Sequence, residues 1–177
     1  MINENGIYIE SGFKFDFSPA VFHECVDPPK NFSEQRKKDV VQGLSTVDFI
    51  VETEKYILFI EVKNPDCLEA TEETKREFFQ KIRNNELMAE LGRKFKDSLL
   101  RKYALGYEFS KPVKYICILQ FDGYYQKHRN RFRKSIINDY IPKRFGADEF
   151  KGFSRIDNFE MPNINDFTKN YFKAEPI

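Results

Sequence analysis

Ser45-Thr46-Val47-Asp48-Phe49-Ile50-Val51-Glu52-Thr53-Glu54-Lys55-Tyr56-Ile57-Leu58-Phe59-Ile60-Glu61-Val62-Lys63-Asn64-Pro65 contains two strand-like apolar runs, 47–51 and 56–62, joined by a polar segment at 53–55. A carboxylate opens the first run, and the second ends in Glu61-Val62-Lys63. Strand residues i and i+2 share a face, so Glu61 and Lys63 project together. A two-residue loop at Glu54-Lys55 would set Asp48 directly opposite Glu61, with Cβ atoms roughly 5 Å apart. A three-residue loop would send Asp48 to the other face, and Glu-Lys is not a favoured tight turn. The first geometry places two carboxylates where one divalent cation can bridge them, with an ammonium alongside.

Tyr56–Ile60 is almost unbroken apolar sequence, as expected of a strand covered on both faces. A lone charge buried there would cost several kcal/mol, so the abrupt change to Glu-x-Lys before Asn64-Pro65 puts charge at the rim of a sheet. Taken alone, a Glu–Lys pair at a strand end is commonly a solvated ion pair worth about 0–1 kcal/mol. An Asp opening the preceding hydrophobic strand tips the reading toward a functional site.

An Asp, an apolar hairpin and then Glu-x-Lys resembles the PD-(D/E)XK nuclease superfamily, the restriction-endonuclease-like fold. The resemblance spans about 45–121, where a long helix and another buried strand follow the hairpin. Val47, not Pro, precedes Asp48, a common variation in that superfamily. The resemblance implies a central mixed β-sheet flanked by helices, a Mg²⁺- or Mn²⁺-dependent phosphodiesterase, and DNA as substrate. It implies Asp48 and Glu61 as metal ligands with the backbone carbonyl of Val62 as a third oxygen. Lys63 would sit beside the metal-bound water, orienting or deprotonating it and stabilising the transition state. Many members carry a further acid on a helix upstream of the hairpin; Glu34 is the positional candidate, with Glu24 behind it. Glu34 reads equally as a first-turn helix acid beside Arg36, Lys37 and Lys38.

The 177 residues suit one domain, with a core at about 45–141 and an N-terminal β-hairpin extension. Nineteen Phe, nine Tyr and 41% hydrophobic residues argue for a packed globule. Twenty-nine basic and 28 acidic side chains leave a net charge of +1, so any basic surface for nucleic acid must be local. The densest basic tract runs from Lys127 to Arg144; Arg129, Arg131, Arg133 and Lys134 are its candidate phosphate contacts, with Tyr124, Tyr125 and Phe132 available for base stacking. The same tract also reads as a solvated helix face with Phe132 and Ile136 turned to the core. No apolar run approaches the roughly 18 residues of a membrane helix, and the first residues lack a leader pattern. Cys25, Cys67 and Cys117 have no metal-ligand spacing and fit a reduced, cytoplasmic protein, Cys117 as core. His23 and His128 are far apart, and phosphate-loop, dinucleotide and nucleophile-elbow patterns are absent from the sequence.

Along the rest of the chain, Phe13, Phe15 and Phe17 alternate with polar residues after a Ser11-Gly12 turn, predicting a hairpin over 7–17. A strand at 20–26 follows. Thr71 is placed to cap a helix with Glu72 and Glu73 in its first turn, broken or kinked at Asn84-Asn85. Leu87, Leu91, Phe95, Leu99 and Tyr103 predict a long amphipathic helix ending near Gly106. Residues 113–121 form a third apolar strand, and a helix around Phe132–Tyr140 stops at Pro142. Phe153, Phe159, Phe167 and Phe172 predict a packed C-terminal segment. Two function classes follow: a small metal-dependent nuclease, and a catalytically inactive module of the same fold that binds nucleic acid or a protein. The small size also allows a homodimer or a partner subunit.

Overall fold

The computed structural model describes residues 5–27, 43–67, 70–120 and 156–177. Their elements are β1 (Ile7–Glu10), β2 (Phe13–Asp16), β3 (Phe22–Cys25), β4 (Phe49–Glu52), β5 (Ile57–Lys63), α1 (Glu72–Arg83), α2 (Glu86–Ala104), β6 (Val113–Leu119), β7 (Ile156–Glu160), α3 (Ile164–Asn170) and β8 (Lys173–Pro176). The sequence segments at 33–42 and 132–140, with Glu34, Phe132, Phe153 and His128, lie outside the described residues.

A five-stranded mixed sheet, ordered β3-β4-β5-β6-β7, forms the centre of an α/β fold. β3, β4 and β5 are antiparallel, while β5, β6 and β7 are parallel. A parallel pair requires a crossover, and α1 and α2 supply the one between β5 and β6. The apolar run at 57–62 now has its reason. Ile57 and Phe59 pack beneath α2 with Leu91 and Phe95, whereas Leu58, Ile60 and Val62 face the opposite side. That second side is covered mostly by strands. β1, β2 and β8 form a three-stranded antiparallel sheet, and Phe13, Phe15 and Phe17 meet Phe49, Leu58 and Phe167 of α3 there. Phe49 lies 5.5 Å from Phe15 and 5.3 Å from Phe17, ring centre to ring centre. Burying each such side chain stabilises the fold by about 1.5–3 kcal/mol, which is what holds the two sheets face to face. The sheet is thus flanked by α1 and α2 on one face and by a second sheet with α3 on the other.

The hairpin 7–17 turns at Ser11-Gly12, where φ is +50° and +79°. Two positive φ values are what a two-residue hairpin turn needs. Thr71 caps α1 by accepting from the Thr74 N–H at 3.2 Å, and Asn85, left-handed at φ +60°, separates α1 from α2. In α2, Leu87, Leu91, Phe95 and Leu99 are buried as expected, but Tyr103 is 59% exposed. A four-residue repeat drifts by about 40° per step on a helix of 3.6 residues per turn, so by the fifth position it has left the core. Lys102 lies on the buried face there instead.

Candidate functional site

Register decides the site. Phe49 pairs with Ile60 and Glu52 with Ile57, and the Thr53 N–H donates to the Tyr56 carbonyl at 2.8 Å, so the loop is Glu54-Lys55. The Thr53 hydroxyl accepts from the Lys55 and Tyr56 N–H groups at 3.2 and 2.9 Å, which steadies an otherwise unfavoured turn. One step beyond the ladder, Asp48 stands opposite Glu61 on the face covered by α2. β4 itself begins at Phe49, so Asp48 precedes the strand rather than lying within it.

The ladder breaks there, and the break shapes the site. Continuing the antiparallel pattern, Val47 and Val62 would exchange backbone hydrogen bonds. Instead the Val47 N–H donates to Ser98 Oγ at 2.9 Å, and the Val62 N–H donates to Asp48 Oδ2 at 2.7 Å. The Ser98 hydroxyl donates in turn to the Lys94 carbonyl at 2.7 Å, and the Ser45 N–H donates to Asp97 Oδ2 at 2.9 Å. α2 therefore draws 45–47 away from β5 and folds the Asp48 carboxylate over the strand end. The Lys63 carbonyl accepts from the Gln120 N–H on the β6 side at 2.9 Å, so by strand alternation the Val62 carbonyl faces the β4 edge, without the ladder partner that Val47 would have been.

Lys63 Nζ lies 2.9 Å from Glu61 Oε1 and 3.3 Å from Glu90 Oε1. A second ammonium joins from α2: Lys94 Nζ is 2.8 Å from Glu61 Oε1, 3.7 Å from Asp48 Oδ1 and 3.6 Å from Asp27 Oδ2. Glu61 Oε1 thus lies between two ammoniums that satisfy it as close charge pairs. Glu61 is fully buried, and its Oε2 has no hydrogen-bond partner among the described residues. Beside the cluster a cleft of about 470 Å³ opens between the Glu10-Ser11 turn, the strand end at Asn64-Pro65, and Thr74 and Phe78 of α1; Asp27, Asp48, Lys63 and Lys94 are in its wall, and Glu61 lies behind them, fully buried. The Asn64 side-chain amide donates to the Ser11 carbonyl at 2.9 Å and fastens the hairpin turn to that wall.

Burial pushes the Asp48 carboxyl well above the usual range and the Glu61 charge adds to it, while Lys94 pulls it back. Glu10 is raised too, first by burial and then by Glu61 and Asp27, against the Ser11 hydroxyl. Burial alone would lower Lys63, but Glu61, Asp48 and Glu90 outweigh it and hold the ammonium firmly charged. Lys94 is raised for the same reason, by Asp48 and Glu61. Among these acids Lys63 is a positive charge and a hydrogen-bond donor.

The oxygens on offer suit a hard divalent cation: Asp48 Oδ1, the unsatisfied Glu61 Oε2 and the Val62 carbonyl are all oxygen donors at one strand end. Among the described residues no group of three or more His, Cys, Asp or Glu side chains is arranged to hold a metal. Two carboxylates would therefore need main-chain oxygen and water to complete a shell, which is how Mg²⁺ is commonly held.

Of the other candidates, Glu24 is committed elsewhere: Arg101 Nη2 reaches its carboxylate at 2.9 Å and Lys102 Nζ at 2.5 Å. Glu34, Arg129, Arg131, Arg133 and Lys134 lie outside the described residues. His23 is satisfied at Nδ1 by the Tyr8 hydroxyl at 2.7 Å. Cys117 is buried, and that burial pushes its thiol up, away from reactivity. Lys94 and Ser98 are functional residues that the sequence analysis did not single out. The signal was available: Leu91, Lys94, Phe95 and Ser98 follow i, i+3, i+4, i+7, which puts a Lys and a Ser on the buried face. No protein-family model, curated protein or solved structure matches the chain. No helix among the described residues is long and apolar enough to cross a membrane.

Proposed function

We propose that this chain is a divalent-metal-dependent nuclease of the PD-(D/E)XK type, hydrolysing phosphodiester bonds of nucleic acid, with DNA as the substrate class that the resemblance implies. The observation that carries the reading is the convergence of Asp48, Glu61 and Lys63 at the rim of the mixed sheet, with Glu61 Oε2 buried and unsatisfied. Mg²⁺ or Mn²⁺, when bound, supplies Lewis-acid stabilisation of phosphoryl oxygens. Asp48, Glu61 and the Val62 carbonyl would hold it. Asp48 is placed by the Val62 N–H, and Glu61 by its position on β5 beneath α2. Lys63, kept charged by its acidic neighbours, faces the cleft and offers its ammonium to the charge that builds on the phosphate in the transition state. Bringing a cation to the carboxylates lowers the Asp48 carboxyl, reversing the effect of burial.

A second reading has its own support. Lys94 already neutralises Glu61 and Asp48, and the described residues hold no third acidic ligand, which favours a non-cleaving module of the same fold. Incubating the purified protein with labelled single- and double-stranded DNA and RNA in Mg²⁺, Mn²⁺ or EDTA separates the two. Metal-dependent cleavage that Asp48→Asn reduces by at least about 100-fold supports the enzyme. Binding without cleavage in every metal supports the module, and neither binding nor cleavage leaves a protein-interaction role as the better reading.

A further inference from the structure

Lys94 is a cluster member that the proposed catalysis does not use, and its surroundings are unusual. Its ammonium, on a side chain 9% exposed, lies within 3.7 Å of three carboxylates from three separate segments: Asp27 after β3, Asp48 before β4, and Glu61 within β5. The helix brings it there by design of spacing, since Leu91 and Phe95 anchor the same face of α2 in the core. A single charge that collects several acids in this manner occupies the electrostatic position of a bound cation.

We infer that Lys94 is a resident counter-cation that competes with the divalent ion for Asp48 and Glu61, so that metal loading requires the Lys94 ammonium to withdraw and offers that ammonium to an anionic substrate in the same cleft. The inference rests on the metal site proposed above. It follows from charge: Glu61 already holds two ammoniums, Lys63 at 2.9 Å and Lys94 at 2.8 Å, and a divalent ion set between Glu61 and Asp48 takes the place of Lys94, the ammonium that reaches both carboxylates. The cleft wall includes Lys94 itself, so an ammonium released from the carboxylates has an open side to turn to. A phosphate bound there favours the withdrawn position, so substrate tightens metal binding, and by linkage metal tightens substrate binding by the same factor. The free protein thereby holds metal weakly and the complex holds it well.

The test is Mn²⁺ binding followed by loss of the free-ion electron paramagnetic resonance signal, a readout that needs no turnover. Wild type, Lys94→Met, Lys94→Gln and Asp48→Asn are titrated with Mn²⁺ alone, then with a short phosphorothioate DNA duplex present. The inference expects both Lys94 variants to bind Mn²⁺ at least tenfold more tightly than wild type. It also expects the duplex to tighten wild type by a similar factor and the variants by much less. Equal or weaker Mn²⁺ binding by both variants, with wild type and Asp48→Asn differing as a metal site requires, overturns the role of Lys94 and leaves the metal site standing. No Mn²⁺ binding by any of the four proteins overturns both. Should both substitutions unfold the chain, the wild type decides: saturating Mg²⁺ must shift the Lys94 side-chain ¹⁵Nζ resonance, and an unmoved resonance refutes displacement.

Discussion

Ser98→Ala tests the claim that α2, rather than the β4–β5 ladder, positions Asp48. Ser98 is fully buried, accepts the Val47 N–H at 2.9 Å and donates to the Lys94 carbonyl at 2.7 Å. Removing the hydroxyl leaves the Val47 N–H without its acceptor on a residue that is itself fully buried. An orphaned buried donor costs about 1–3 kcal/mol, and alanine returns roughly 0.5 kcal/mol through its better helix propensity. The net is a loss of about 0.5–2.5 kcal/mol, which for a chain of this size lowers Tm by about 1–10 °C. Urea denaturation checks it: the midpoint should fall with an unchanged slope, and Ser98→Thr, which keeps a hydroxyl, should recover most of the loss. The second readout is local. With 45–47 released, Asp48 loses its placement, so Mn²⁺ affinity should fall in Ser98→Ala more than in an equally destabilised core variant such as Leu99→Val. Ser98→Ala with wild-type stability and wild-type Mn²⁺ affinity would refute the positioning argument.

Lys63→Ala should reduce single-turnover cleavage by at least about 100-fold while substrate affinity changes little, because the ammonium is needed for charge that appears in the transition state. Equal single-turnover rates would remove Lys63 from the mechanism. Glu24 gives a pH signature distinct from the active cleft. Burial would raise its carboxyl, but Lys102 and Arg101 prevail and hold it below its ordinary value. A carboxylate depressed in the folded state contributes stability above its unfolded pKa, and that contribution fades as pH falls through the folded value. Urea midpoints for wild type and Glu24→Gln, measured from pH 7 downward, should therefore converge only at acidic pH; a gap independent of pH would show that packing, not charge, is what Glu24 supplies.

The strand register was legible as one of two alternatives, because it is set locally by whether the loop has two residues or three. The length of the Glu54-Lys55 loop alone sets Asp48 opposite Glu61, and the alternation at 13–17 alone marks Phe13, Phe15 and Phe17 as core. What escaped reading depends on distant partners. Glu24 fits a site acid by its place upstream of the hairpin, yet Arg101 and Lys102 at the far end of α2 claim it. Helical spacing sets Lys94 apart from Arg93 and Lys96 by placing it on the buried face, but which acids it meets there depends on the docking of α2 on β5. Tyr103 was misread for a geometric reason, a repeat of four laid on a helix of 3.6. The alternation in β2 marks its buried face but not its neighbour, so the pairing of β2 with β8, at the other end of the described chain, leaves no local signal.

That last pairing has a consequence for the order of events during synthesis. Phe13 aligns with Pro176, and the Ile177 N–H donates to the Gly12 carbonyl at 3.1 Å. While the chain is being made, the first hairpin waits with one edge bare and its phenylalanines unsupported until residues 173–177 have emerged. The Glu10-Ser11 turn, one wall of the cleft, belongs to that waiting hairpin. A nascent chain is thus held short of a finished cleft until translation has passed β8. Deleting residues 173–177 would leave the edge of β2 unpaired and open to pairing with other chains.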